Sequence, residues 1–200
     1  MEKISKLETL TYNILKASIE KGDTFIVTNA APGWVEYSSK RFYPKVLPLL
    51  SKLKIISARG EFEKKYPGNS RQWKISTFLK ITKIFDTDLL TNLICLGDSL
   101  IEMEAAHILA SKFKQVYIKT VKFRENPSPE ELYKQLQLIL DQFDQIFSAV
   151  KNLTIKVERK NKNKNNINKT NYTSFQNLSY FDMTQIRNSL PNKNEINYGK

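Results

Sequence analysis

Four short runs, TFIVTN (24–29), LKIISA (53–58), NLICLG (92–97) and QVYIKTVKF (115–123), are dense in aliphatic and β-branched residues. Segments with helical spacing separate them. Runs of this kind read as buried strands, and strands alternating with helices imply βαβ units around a mostly parallel sheet. Right-handed crossovers then place helices on both faces. The predicted fold class is therefore α/β, a three-layer α/β/α sandwich.

The helical segments are amphipathic. Ile4, Leu7, Leu10, Ile14, Leu15 and Ile19 predict a helix over 3–21, which Lys21-Gly22-Asp23 ends. Further helices are expected from Val35 with a restart at Pro44, over 71–85, over 99–113 and over 130–150. A chain of 200 residues with 40% hydrophobic content suffices for one domain. We place that domain at 1–153. Residues 154–200 change character: KVERKNKNKNNINK is rich in Lys and Asn and poor in aliphatics. Such a stretch buries too little apolar surface to offset its ordering entropy, so a mostly disordered tail is expected there. Of the net charge of +12, residues 151–200 hold +7.

The single cysteine, Cys95, lies within an apolar run and reads as a small buried hydrophobe. One cysteine allows no internal disulfide, which suits a reducing compartment. The N-terminal segment has charges throughout and is no signal peptide, and no apolar run approaches membrane-spanning length. A cytoplasmic or nuclear location is expected. The N-x-Ser/Thr sequons at Asn152, Asn168, Asn171 and Asn177 reflect the Asn-rich composition.

Ligands of open parallel sheets bind outside the carboxyl ends of the strands. Those ends carry Thr28-Asn29, Ser57-Ala58-Arg59, Gly97-Asp98-Ser99, and a run containing Lys119, Lys122 and Arg124. Asp98 and Glu102 are spaced to face one mouth if a helix opens at Ser99. Two readings stand for this pair. One is an ordinary helix start, with Glu102 as a capping-box acid. The other is a Mg²⁺ and phosphate site built from hard oxygens and backbone N–H groups. Lys74, early in the helix preceding the Asp98 strand, can reach over the sheet edge toward phosphate. Arg59 is a further candidate anion contact. The indoles of Trp34 and Trp73 are expected to cover the core.

The letters GDSL at 97–100 also spell an esterase signature with Ser99 as nucleophile. That chemistry needs a histidine base. The one histidine, His107, stands two turns along the same helix and cannot reach Ser99.

FIVTNA (25–30), Lys74 in RQWK, and ICLGDSLIE (94–102) together resemble, in order and spacing, the second, third and fourth motifs of the haloacid-dehalogenase-like superfamily. The longer stretches VTNAAPGWVEYSSKRFYPKVLPLL, IISARGEFEKKYPG and VKFRENPSPEELYKQL resemble an uncharacterised protist and algal group within it. The resemblance covers residues 5–150. It implies a Mg²⁺-dependent phosphatase architecture, in which Thr28 and Asn29 bind phosphate, Lys74 neutralises it as a catalytic residue, and Asp98 with Glu102 hold Mg²⁺. Asp98 would thereby be catalytic too.

The first motif of that superfamily, a central strand ending in Asp-x-Asp, has no counterpart before residue 24. A chain without it lacks the nucleophile, so we expect no phosphatase turnover. The chain then reads as an N-terminally incomplete fragment or as a degenerate relative, with the fragment favoured. No segment between the motifs is long enough for a large cap domain, which favours a phosphoprotein or other macromolecular phosphate as partner. Two further readings are a non-catalytic phosphate-binding or protein-interaction module, and a nucleic-acid binder using the tail. KNKNKNNINK has charge with almost no aromatic residues, so stacking has little to work with there.

Overall fold

The structure is a computed structural model that describes residues 2–85, 88, 92–158 and 176–177. Helices α1 (Glu2–Lys21), α2 (Trp34–Phe42), α3 (Leu47–Leu50), α4 (Ala58–Phe62), α5 (Ser70–Ile81), α6 (Leu100–Ala110) and α7 (Pro129–Ser148) alternate with strands β1 (Phe25–Thr28), β2 (Lys54–Ser57), β3 (Asn92–Gly97), β4 (Tyr117–Lys122), β5 (Leu153–Lys156) and β6 (Gln176–Asn177). The chain is α/β with parallel strands, as the alternation predicts. No helix among the described residues is long and apolar enough to cross a membrane.

The strands form two sheets. β1 and β2 pair in parallel, with Phe25 opposite Lys54 and Thr28 opposite Ser57. β3, β4 and β5 pair in parallel, and β6 closes the edge antiparallel to β5. β1 and β3 do not pair with each other, so the sheet is interrupted between them.

Period-two alternation sends the β3 and β4 side chains to opposite faces. Cys95 of β3 and Ile118 of β4 join Ile75 and Phe78 of α5 and Met103 and Leu109 of α6 on one face. Ile94, Leu96 and Val121 join Ile139, Phe143 and Ile146 of α7 on the other, with Ala17 of α1 at its margin. Val27 of β1 packs on the first cluster, so the two sheets share one core despite the break. Helix α6 is apolar nearly all round, as its buried Ala105, Ala106, Ile108, Leu109 and Ala110 require. Helix α7 starts at a Ser128/Glu131 capping box with Pro129 in its first turn.

The predicted domain boundary at 153/154 falls inside a strand. β5 runs through Lys156, and Ile155 and Val157 are buried in the second cluster. Leu153, Ile155 and Val157 alternate with Thr154, Lys156 and Glu158, the period of a strand covered on one face. The composition change that follows hides this pattern. The expectation of a disordered tail otherwise falls outside the described residues.

Candidate functional site

The carboxyl ends of β1 and β3 border a cavity of about 400 Å³. Thr28, Asn29, Lys74, Asp98 and Glu102 all line it. Residues as far as 74 positions apart in sequence are thus brought together, those of β1 and β3 at the strand ends and Lys74 from α5.

Each wall has a local cause. After β1 the Thr28 hydroxyl oxygen accepts the Ala30 N–H at 3.0 Å, turning the chain sharply. The Ser57 hydroxyl, at the end of β2, donates to the Ala30 carbonyl at 2.6 Å and accepts the Gly60 N–H at 2.9 Å. A Cβ on Gly60 would stand 2.6 Å from Cγ of Pro32, so only glycine lets the β1 loop lie against α4. At the other wall a Cβ on Gly97 would stand 2.9 Å from the Glu102 Cβ. Glycine there allows α6 to start directly over the end of β3.

Lys74 is the floor of the cavity. Its side chain is 7% exposed, and its Nζ donates to the Val27 carbonyl at 2.7 Å and pairs with Glu102 Oε1 at 3.0 Å. An ammonium has three N–H donors, so one is left for a ligand. The lysine spans the sheet interruption, from a β1 carbonyl to the first turn of α6. The Asn29 Oδ1 is buried without a hydrogen-bond partner among the described residues. The Thr28 hydroxyl oxygen accepts a bond, and its proton remains available.

Both carboxylate oxygens of Glu102 are engaged. Oε1 meets Lys74, and Oε2 accepts the Ser99 N–H at 2.9 Å together with the Ser99 hydroxyl. Burial pushes this carboxyl up, but the Ser99 hydrogen bonds and the Lys74 charge outweigh it and hold Glu102 below the usual carboxylate range. A depressed carboxyl contributes stability above its unfolded value, near pH 4.3, and that contribution is lost as pH falls through the folded value. Glu102→Gln is therefore expected to destabilise the chain at pH 7, with the gap from wild type closing as pH falls below about 4. Urea unfolding across pH 7 to 3 measures it; a gap independent of pH would contradict the assigned charge state.

Asp98 differs from its neighbour. It is exposed, and its carboxylate has no hydrogen bond or ion pair among the described residues. Its backbone carbonyl accepts from Lys122, whose ammonium also reaches Phe123 O and Glu125.

The remaining sequence candidates lie elsewhere. Lys119 was expected among the cations at the ligand edge, but it is fully buried in β4 and donates to the Phe147 carbonyl at 2.7 Å, beneath the end of α7. Its position inside the strand, three residues before the end of β4 and on the α7 face, explains the difference. Burial lowers its affinity for a proton. Arg124 donates to Glu131, and Arg59 to Glu63 at 2.9 Å, one turn along its own short helix. Trp73 packs as expected, with its indole N–H on the Tyr66 carbonyl at 2.7 Å. Trp34 does not; it is 52% exposed. Ser99 and His107 occupy separate places. Ser99 hydrogen-bonds Glu102, and His107 lines a second cavity of about 50 Å³ beside Thr120. Burial pushes the thiol of Cys95 up to about 12, so it behaves as a core residue.

Compared with protein-family models, curated proteins and solved structures, the chain matches none.

Proposed function

We propose that the cavity between β1 and β3 binds the phosphate group of a phosphoprotein or other macromolecule, in the manner of a haloacid-dehalogenase-like domain. The observation that carries this reading is the convergence of a buried ammonium and a hydroxyl donor on one concave site. Lys74 is fixed by two partners with a spare N–H, and the Thr28 hydroxyl proton is available; the unpartnered Asn29 Oδ1 beside them is an acceptor and suits a protonated oxygen or a hydroxyl of the ligand. An oxyanion satisfies the Lys74 and Thr28 donors together.

The ordered motifs support the superfamily reading, as does the break between the strands that end at Thr28 and at Asp98. The resemblance puts its Asp-x-Asp strand there, between those two. No inserted domain covers the mouth among the described residues, which favours a large partner over a small enclosed substrate.

For Mg²⁺ the residues fit in part. The Asp98 carboxylate is available, whereas the arrangement around Glu102 leaves neither oxygen unengaged. Mg²⁺ takes one or two carboxylates with phosphate oxygens and waters, so Asp98 is the residue that would hold it, and the ion would offset phosphate charge. The role assigned here to Glu102 is to hold Lys74 and cap α6.

Transfer of phosphorus to an enzyme carboxylate needs that group in line with the scissile bond. Asp98 sits beside the bound phosphate in this reading, and Glu102 is engaged. The domain thus binds phosphate without hydrolysing it. The test has two arms. Orthophosphate and a phosphopeptide should shift the backbone amide resonances of Thr28, Asn29 and Asp98, with binding weakened about tenfold in Thr28→Val, the loss of one charge-assisted hydrogen bond. An aryl phosphate with Mg²⁺ should show no turnover above background. Absence of orthophosphate binding would remove the phosphate reading; turnover abolished by Asp98→Asn would replace the binding module with an enzyme.

A further inference from the structure

We propose that the outer face of α2 is a binding surface for single-stranded nucleic acid. This inference is independent of the phosphate cavity. Within nine residues α2 exposes Trp34 (52%), Tyr37 (59%) and Phe42 (47%), more large aromatic surface than any other element presents. The Trp34 and Tyr37 rings stand 5.8 Å apart at 37°. The helix buries Ser39, so positions 34, 37 and 41, spaced i, i+3, i+7, form the opposite face. Lys40 and Arg41 are exposed beside the rings, and the Arg41 guanidinium lies 5.7 Å from the Phe42 ring centre. Glu36 is the one acidic residue of the helix.

Flat rings interleaved with cations are what single strands require. Bases stack on aromatic faces, and Lys and Arg meet the phosphates between them. Trp34 and Tyr37 form the stacking pair on the outer face, with Phe42 about 12 Å along the helix axis from Trp34 and on its flank. The charge of the part of the chain that holds α2 also favours a polyanion, since residues 1–150 carry a net +5. A membrane fits less well. The face of Trp34 and Tyr37 ends in Arg41, and Phe42 lies round the helix on another flank, so no continuous apolar stripe is available for insertion. The Lys/Asn-rich tail has charge without rings; α2 has both.

Trp34 also supplies the readout, because Trp73 is buried and shielded. The full chain is titrated with a fluorescein-labelled oligothymidylate of about 20 nucleotides, following anisotropy and tryptophan emission. Binding should quench Trp34. Trp34→Ala/Tyr37→Ala should weaken affinity at least about tenfold, and Trp34→Leu/Tyr37→Leu, which keeps apolar bulk but removes the stacking faces, should do the same. Lys40→Ala/Arg41→Ala should lower the slope of log affinity against log salt by roughly 1.4. An unchanged melting temperature shows that each variant is folded. Three results would overturn the proposal: no binding, binding unaltered by either ring variant, which would assign it to the tail, or displacement of the oligonucleotide by phosphatidylserine vesicles that themselves quench Trp34.

Discussion

Lys74→Met is expected to destabilise the domain by about 3–5 kcal/mol, the range for removing one partner of a buried ion pair. The pair is 7% and 15% exposed on its two sides, so water cannot replace the lost ammonium. The cost has two parts. Glu102 is left charged beside an apolar side chain, and the Val27 carbonyl loses its donor at 2.7 Å. That second bond ties β1 to the helix layer next to the sheet interruption, where no strand hydrogen bond does so. Chemical denaturation of Lys74→Met, Glu102→Gln and the double variant separates the terms. The double variant should recover part of the loss, because it removes the unpaired charge as well as its partner. A loss under about 1 kcal/mol in Lys74→Met would mean that the pair behaves as a surface ion pair. In that case Lys74 would not be the fixed floor of the cavity, and the phosphate reading would lose its main support.

Ile155→Ala is expected to cost about 2–5 kcal/mol, as for other large-to-small changes in a packed core. Ile155 is 3% exposed, and it belongs with Val121, Ile139 and Phe143 to the cluster under α7. The same substitution at Ile4, 44% exposed on α1, should fall within about 0.5 kcal/mol. The comparison tests whether the domain extends past the boundary that composition alone indicates. Equal effects at the two positions would place β5 outside the cooperative unit. Val157, also buried, provides a second position, and its backbone N–H donates to the Lys122 carbonyl at 2.9 Å, so the chain remains joined to β4 beyond the end of β5.

Much of the local structure was legible in the sequence. Four apolar β-branched runs became β1 to β4, and the capping residues Ser128 and Glu131 start α7 where the Pro-rich turn ends. The grouping of Thr28, Asn29, Lys74, Asp98 and Glu102 around one mouth was legible too, since parallel strands carry their carboxyl ends to the same side of a sheet. These features rest on periodicity and chain direction, which neighbouring residues specify.

Other features depend on which surfaces meet, and tertiary structure alone decided them. Lys119 lies in a strand beside two other cations, and only the position of α7 over that strand buries it and offers it the Phe147 carbonyl. Trp34 and Trp73 both stand near sheet ends. α5 turns one inward, while α2, packed through Ser39, leaves the other in solvent. Spacing alone does not separate the two readings of Glu102, although an isolated stretch of this kind favours the helix cap; the capping box with Ser99 and the ion pair with Lys74 arriving from α5 are set by the tertiary structure. Short alternation at 153–157 became a strand because β4 offered a free edge and the α7 face offered a core to cover. In each case the deciding partner is distant in sequence, and burial, not local propensity, sets the outcome.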